Sequence, residues 1–169
     1  MKVKVIINVK EKEKSINDLD EFRKKKYKEK DVRFTNVDLV KLNRKTRKNI
    51  FDKNDLFISS DTLWEIMQEE GGSGIHNYHG LTAEDIIDAL NSINEPYALF
   101  ESKHSRYAIV TTTLTHFGEP LMIIVEVGAG LHSNINANIN KIVTMYPKSN
   151  IDIMLNGLDK KDVLLVNAK

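Results

Sequence analysis

Three strand-like runs close together in the chain constrain its fold more than any other feature. They are PYALFESK (Pro96–Lys103), RYAIVTTTLTHFGEPLMIIVEV (Arg106–Val127) and NKIVTMY (Asn140–Tyr146). β-Branched and aromatic residues dominate them, and turn residues separate them. FGEP splits the second run into two strands joined by a hairpin turn. Alternation along Arg106–His116 puts Tyr107, Ile109, Thr111, Thr113 and Thr115 on one face. Arg106, Ala108, Val110, Thr112, Leu114 and His116 take the other. Leu121–Val127 is almost wholly apolar, which marks a central strand, and Glu126 interrupts it near its end.

The 169 residues contain no cysteine, so disulfides, thiolate nucleophiles and cysteine zinc sites are excluded. That composition fits a reducing cytosol. No window approaches 18 consecutive apolar residues, so no membrane span is expected. MKVKVIINVK lacks the apolar core and cleavage site of a signal peptide. Charge is unevenly spread. Residues 1–55 hold 18 Lys and Arg against 10 Asp and Glu, while residues 56–169 hold 7 against 14. A basic arm on an acidic body has two readings: it binds a polyanion such as nucleic acid, or it packs on an acidic surface.

We therefore divide the chain into a basic segment, 1–55, and a main domain, 56–169. In the first part, alternation predicts a strand over Lys2–Val9. A capping-box-like Ser15 and Asp18 precede a helix to Lys30. A second helix or a helix-like loop is expected over Asn36–Asn49, with Lys41, Arg44, Lys45, Arg47 and Lys48 clustered on it. A short strand, Leu56–Ile58, leads to a helix over Thr62–Glu69, which carries the lone Trp64 as a core anchor. GGSG (Gly71–Gly74) lacks the spacing of a phosphate loop and reads as a connector. His76 and His79 follow at i and i+3, near the N-cap candidate Thr82. Without a third ligand or an HExxH pattern they are better suited to acid–base work than to metal binding. Either could also simply cap or hydrogen-bond the helix start. A polar loop, Gly128–Asn140, a helix, Ser149–Asn156, and a strand, Val163–Val166, complete the chain.

The order of LFISSDTLWEIM, HGLTAEDIIDALNSINEPYALFES, YAIVTTTL, FGEPLMIIVEV and NKIVTMYPKSNI resembles the nuclease domains of the barnase, EndoU, colicin-tRNase and RelE-like superfamily. Such domains occur at the C-termini of phage MuF-type head proteins and in polymorphic toxins. The resemblance covers roughly residues 56–157. It implies an α+β fold in which N-terminal helices pack on a mainly antiparallel sheet of about four strands. It also implies metal-independent cleavage of RNA, with tRNA among the candidate substrates and no cofactor.

Such cleavage needs a base for the 2′-OH, an acid for the leaving oxygen and cations for the phosphorane. On the resembling positions, His79 takes the acid–base role, with His76 or Glu126 as its counterpart. Lys103 or Arg106 holds the phosphate, and Thr144 and Tyr146 position it. IVTMYP stands where an SxYG-like ending is expected. The implied setting is a cytosolic effector from a phage or mobile element, with an acidic immunity protein as a second partner and no membrane partner. The competing expectation is a non-catalytic binding module, or a phage structural protein, that uses the basic arm.

Overall fold

In β1 (Lys4–Val9), β3 (Asp31–Thr35) and β4 (Leu56–Ser59), apolar buried residues stand two positions apart. Val5, Ile7, Val32, Phe34, Leu56 and Ile58 thus share one face, as the period of two requires. The computed structural model describes residues 3–9, 12–28, 30–37, 51, 55–69, 78–103, 105–131, 134 and 136–166. The other strands are β2 (Lys12–Ile16), β5 (Ala98–Lys103), β6 (Arg106–Leu114), β7 (Pro120–Ala129), β8 (Ile139–Pro147) and β9 (Val163–Val166). They form a nine-stranded sheet in the order β2-β1-β3-β4-β8-β7-β6-β5-β9. Every pairing is antiparallel except β4 with β8.

Three helices cover one face: α1 (Glu21–Lys24), α2 (Ser60–Met67) and α3 (Ala83–Asn91). Phe22 of α1, Leu63, Ile66 and Met67 of α2, and Ile86, Ala89 and Leu90 of α3 join the same apolar cluster as Leu99, Ile109, Ile123, Val125, Ile142 and Met145 of the sheet. This core runs through residues on both sides of position 55. α3 starts at a full capping box: the Thr82 hydroxyl accepts from the Asp85 N–H at 3.1 Å, and the Asp85 carboxylate accepts from the Thr82 N–H at 3.0 Å.

The opposite face is covered differently. There α4 (Ile151–Asn156) lies over a second, smaller cluster of Ala98, Phe100, Ala108, Val110 and Met122. Strand register lines this face up in rows. One is Ala98–Val110–Met122–Tyr146, and the next is Phe100–Ala108–Ile124–Thr144. The third is Lys103–Arg106–Glu126–Lys141, and all four of its residues are charged. Two irregularities keep the rows aligned. Register steps by one residue after Glu101, and again between Ile124 and Val125, where Val143 has no opposite number. A bulge of this kind adds a residue without exchanging the faces. It lets Ile142 and Met145 both stay in the core while Lys141, Thr144 and Tyr146 face the other way.

This architecture corrects the expected one. The sheet has nine strands rather than about four, and the N-terminal segment joins it as strands instead of packing on it as helices. Ser15 and Ile16, expected to open a helix to Lys30, instead end β2, which pairs with β1, and only Glu21–Lys24 is helical in that stretch. Asp31–Thr35, for which no element was expected, is β3. The physical reason is pairing. Val32 and Phe34 carry too short an alternation to identify a strand alone, yet between β1 and β4 their backbone groups have partners and their side chains have a core. Of the expected helix or helix-like loop over Asn36–Asn49, Asn36 and Val37 are described and are not helical; the rest, including Lys41–Lys48, and the GGSG connector lie outside the described residues.

Candidate functional site

Five of the seven candidate residues lie on the sheet face opposite α1–α3. Lys103, Arg106 and Glu126 belong to the charged row, and Thr144 and Tyr146 follow along β8. Arg106 Nε donates to Glu126 Oε1 at 3.3 Å, with both side chains more than a third exposed. So exposed a bridge adds about 0–1 kcal/mol to stability at most. Lys141 stands opposite Glu126 on the far side, so this carboxylate has a cation across each neighbouring strand.

Thr144 is the anomaly of this face. Its hydroxyl oxygen is buried and has no hydrogen-bond partner among the described residues. A buried polar group left in this state costs about 1–3 kcal/mol. Tyr146, two residues on, donates its hydroxyl to Met122 Sδ at 3.3 Å, and burial pushes its pKa above the ordinary tyrosine value. It stays protonated at neutral pH and keeps a hydrogen to donate.

His79 reaches this strand because β4 stops short. β4 pairs with β8 only through Ile142 and then turns into α2. The segment before α3 is tied back to the end of α2: the Gly80 N–H donates to the Gln68 carbonyl at 2.6 Å, and the Leu81 N–H to the Ile66 carbonyl at 3.0 Å. Gly80 turns there at φ +64°, where glycine carries no Cβ penalty. The His79 ring then lies 5.7 Å from the Tyr146 ring, tilted by 44°.

The fold thus makes two pairs, His79 with Tyr146 and Arg106 with Glu126. Strand spacing and rise put the Tyr146 and Arg106 backbones roughly 16 Å apart. Thr144 stands between the pairs, about 7 Å along the strand from Tyr146 and about 7–8 Å diagonally from Glu126. His76 lies outside the described residues.

Sequence reading missed one further pair. His116 Nδ1 lies 2.6 Å from Asp85 Oδ2, and the His116 N–H donates to Asp85 Oδ1 at 2.9 Å. Burial pushes the Asp85 carboxyl up. The Thr82 and His116 hydrogen bonds outweigh that and hold it below the usual carboxylate range. The carboxylate accepts from Nδ1 and leaves Nε2 as the outward nitrogen. The partners are 31 positions apart, so no local pattern could reveal them. His116 lines a cavity of about 610 Å³ in which the carboxylates of Asp18, Asp20, Glu84, Asp85 and Asp88 outnumber the cation Arg23. That surface repels phosphate, and the His116–Asp85 pair serves to tie α3 to the β6–β7 hairpin.

Among the described residues, no group of three or more His, Asp or Glu is arranged to hold a metal ion. No helix among them is long and apolar enough to cross a membrane. Residues 73–169, which carry α3, α4 and β5–β9, match the family described as Phage MuF-C-terminal domain. No curated protein and no solved structure matches the chain.

Proposed function

The chain belongs to the phage MuF C-terminal domain family, and from that premise we propose that it is a metal-independent endoribonuclease of a phage or mobile element. The observation that carries this reading is the placement of the Arg106–Glu126 ion pair and the His79 imidazole, braced on Tyr146, to either side of Thr144 on one sheet face.

The chemistry is transesterification. A carboxylate takes the 2′-OH proton as the 2′-oxygen bonds to phosphorus. The P–O5′ bond breaks, and an acid protonates the leaving oxygen. The products are a 2′,3′-cyclic phosphate and a 5′-OH. In-line displacement places base and acid on opposite sides of phosphorus. Glu126, oriented by its ion pair with Arg106, suits the base. His79, braced on Tyr146, suits the acid. Lys103 and Arg106 neutralise charge on the phosphorane, and Thr144 and Tyr146 donate to its oxygens. RNA, with tRNA among the candidates, is the substrate class, acted on in a cytosol. An acidic inhibitor would bind the same cations.

The test is incubation of the purified protein with tRNA and total RNA, with and without a chelator. Fragments ending in 2′,3′-cyclic phosphate, formed equally in chelator, are the expected result. Intact RNA under all conditions overturns the assignment.

A further inference from the structure

The charged row does not end at β8. Register carries it on: Lys141 pairs with Phe57 of β4, and Phe57 with Arg33 of β3. The row therefore reads Lys103, Arg106, Glu126, Lys141, Phe57, Arg33 across six adjacent strands. Phe57 sits between two cations, and its neighbours Leu56 and Ile58 point into the core on the other side. A β-strand cannot bury both neighbours of Phe57 on one face without turning Phe57 to the other. The three N-terminal members of this face, Ile6, Arg33 and Phe57, lie outside the matched region.

A small cavity of about 220 Å³ opens at that end of the row. Ile6, Phe57 and Leu131 form its apolar walls, and Asn8, Glu13, Asp31 and Arg33 its polar ones. The Arg33 guanidinium is held in place by Glu13 at 3.0 Å and Asp55 at 3.5 Å. The volume falls below the range of about 300–1,000 Å³ typical of whole small-molecule sites. It admits one planar ring rather than a complete ligand. A flat apolar wall beside fixed donors and acceptors is what an unstacked base needs: a surface for its face and polar groups for its edge.

We propose that this open face is a track for single-stranded RNA, running from Lys103 and Arg106 over Lys141 to Phe57 and Arg33, with one base seated against Phe57. The proposal rests on the RNA reading above and adds to it the strandedness, direction and length of the substrate. Five strand spacings separate β3 from β5, so the track is about 24 Å long. That is several nucleotides, more than one phosphate at the cleavage centre requires. Double-stranded RNA cannot present an unstacked base to Phe57.

The test measures fluorescence anisotropy with labelled 2′-O-methyl oligonucleotides, which bind but cannot form the cyclic phosphate. Strands of about 3, 6 and 10 nucleotides are compared with a duplex of the longest, alongside cleavage of ordinary RNA. Affinity should rise from the shortest strand to the middle one and then level off, and the duplex should bind more weakly. Phe57→Ala should weaken binding about 5- to 100-fold, with Phe57→Tyr restoring most of it as the control for folding. Lys141→Glu, a surface change, should weaken binding and flatten its salt dependence. Two results overturn the track while leaving cleavage intact: a parent that cuts RNA but binds all lengths and the duplex alike, or Phe57→Ala and Lys141→Glu variants that bind as the parent does. A parent that shows the length dependence but never cuts overturns the nuclease assignment and leaves the track standing. A parent that neither binds nor cuts overturns both.

Discussion

The two faces of the sheet are made from the same strands and differ in almost everything else. On one face, Val5, Phe34, Ile58, Ile142, Ile123, Ile109 and Leu99 form an apolar layer from β1 to β5 beneath three helices. On the other, an apolar cluster lies under α4, and the row beyond it is charged across four strands. Burial stabilises at about 25 cal/mol per Å² of apolar surface, whereas exposed ion pairs add little. The first face therefore carries the stability. The second is free to carry chemistry, because changes to its exposed residues cost the fold little.

This contrast can be broken or sharpened by substitution. The largest effect expected is on chemistry. His79→Ala should lower RNA cleavage about 10²–10⁴-fold while leaving the urea midpoint close to that of the parent. A variant that cuts at the parental rate removes His79 from the mechanism. Next comes the covered face, where Ile123→Ala should cost about 2–5 kcal/mol in urea unfolding, since Ile123 is fully buried. Ile124→Ala, one residue on and pointing the opposite way, should cost less. Equal losses would mean that both faces bear the load.

A smaller effect is expected at the tie between α3 and the hairpin. Asp85→Asn weakens the capping box and the His116 contact together, at a cost of about 1–3 kcal/mol. Its signature is in acid. The folded Asp85 carboxyl titrates below its unfolded value, so its contribution is complete above about pH 4. That contribution is lost as pH falls through the lower, folded value. Unfolding of Asp85→Asn followed against pH should therefore show a flatter acid limb than the parent. An unchanged slope would deny the carboxylate this role. The smallest stability effect belongs to the charged row: Arg106→Met should shift stability by less than about 1 kcal/mol and still impair cleavage. A loss as large as that of Ile123→Ala would make the row structural.

Much of the C-terminal part was legible because its signals are local. Thr82, as an N-cap candidate, identified the start of α3. The run Leu121–Val127 identified a central strand, and FGEP its turn. The N-terminal part misled for the opposite reason. Lys12–Ile16 carries a single buried residue, Ile16, and becomes a strand only because β1 lies beside it. At the site, Glu126 was visible as a charge inside an apolar run, but its partner Arg106 was a matter of hairpin register. His79 and Tyr146 stand 67 positions apart and meet only because β4 ends early.

The amino-acid order by itself determined which residues alternate, where helices start and which strands have a charged end. These depend on neighbours a few positions away, within reach of backbone geometry and capping. Tertiary structure alone decided that nine strands form one sheet, that a bulge at Val143 turns Thr144 away from the core, and that an imidazole lies against Tyr146. Those outcomes depend on pairings between distant segments, and a strand's partner is chosen by the burial and hydrogen bonds that the whole sheet offers.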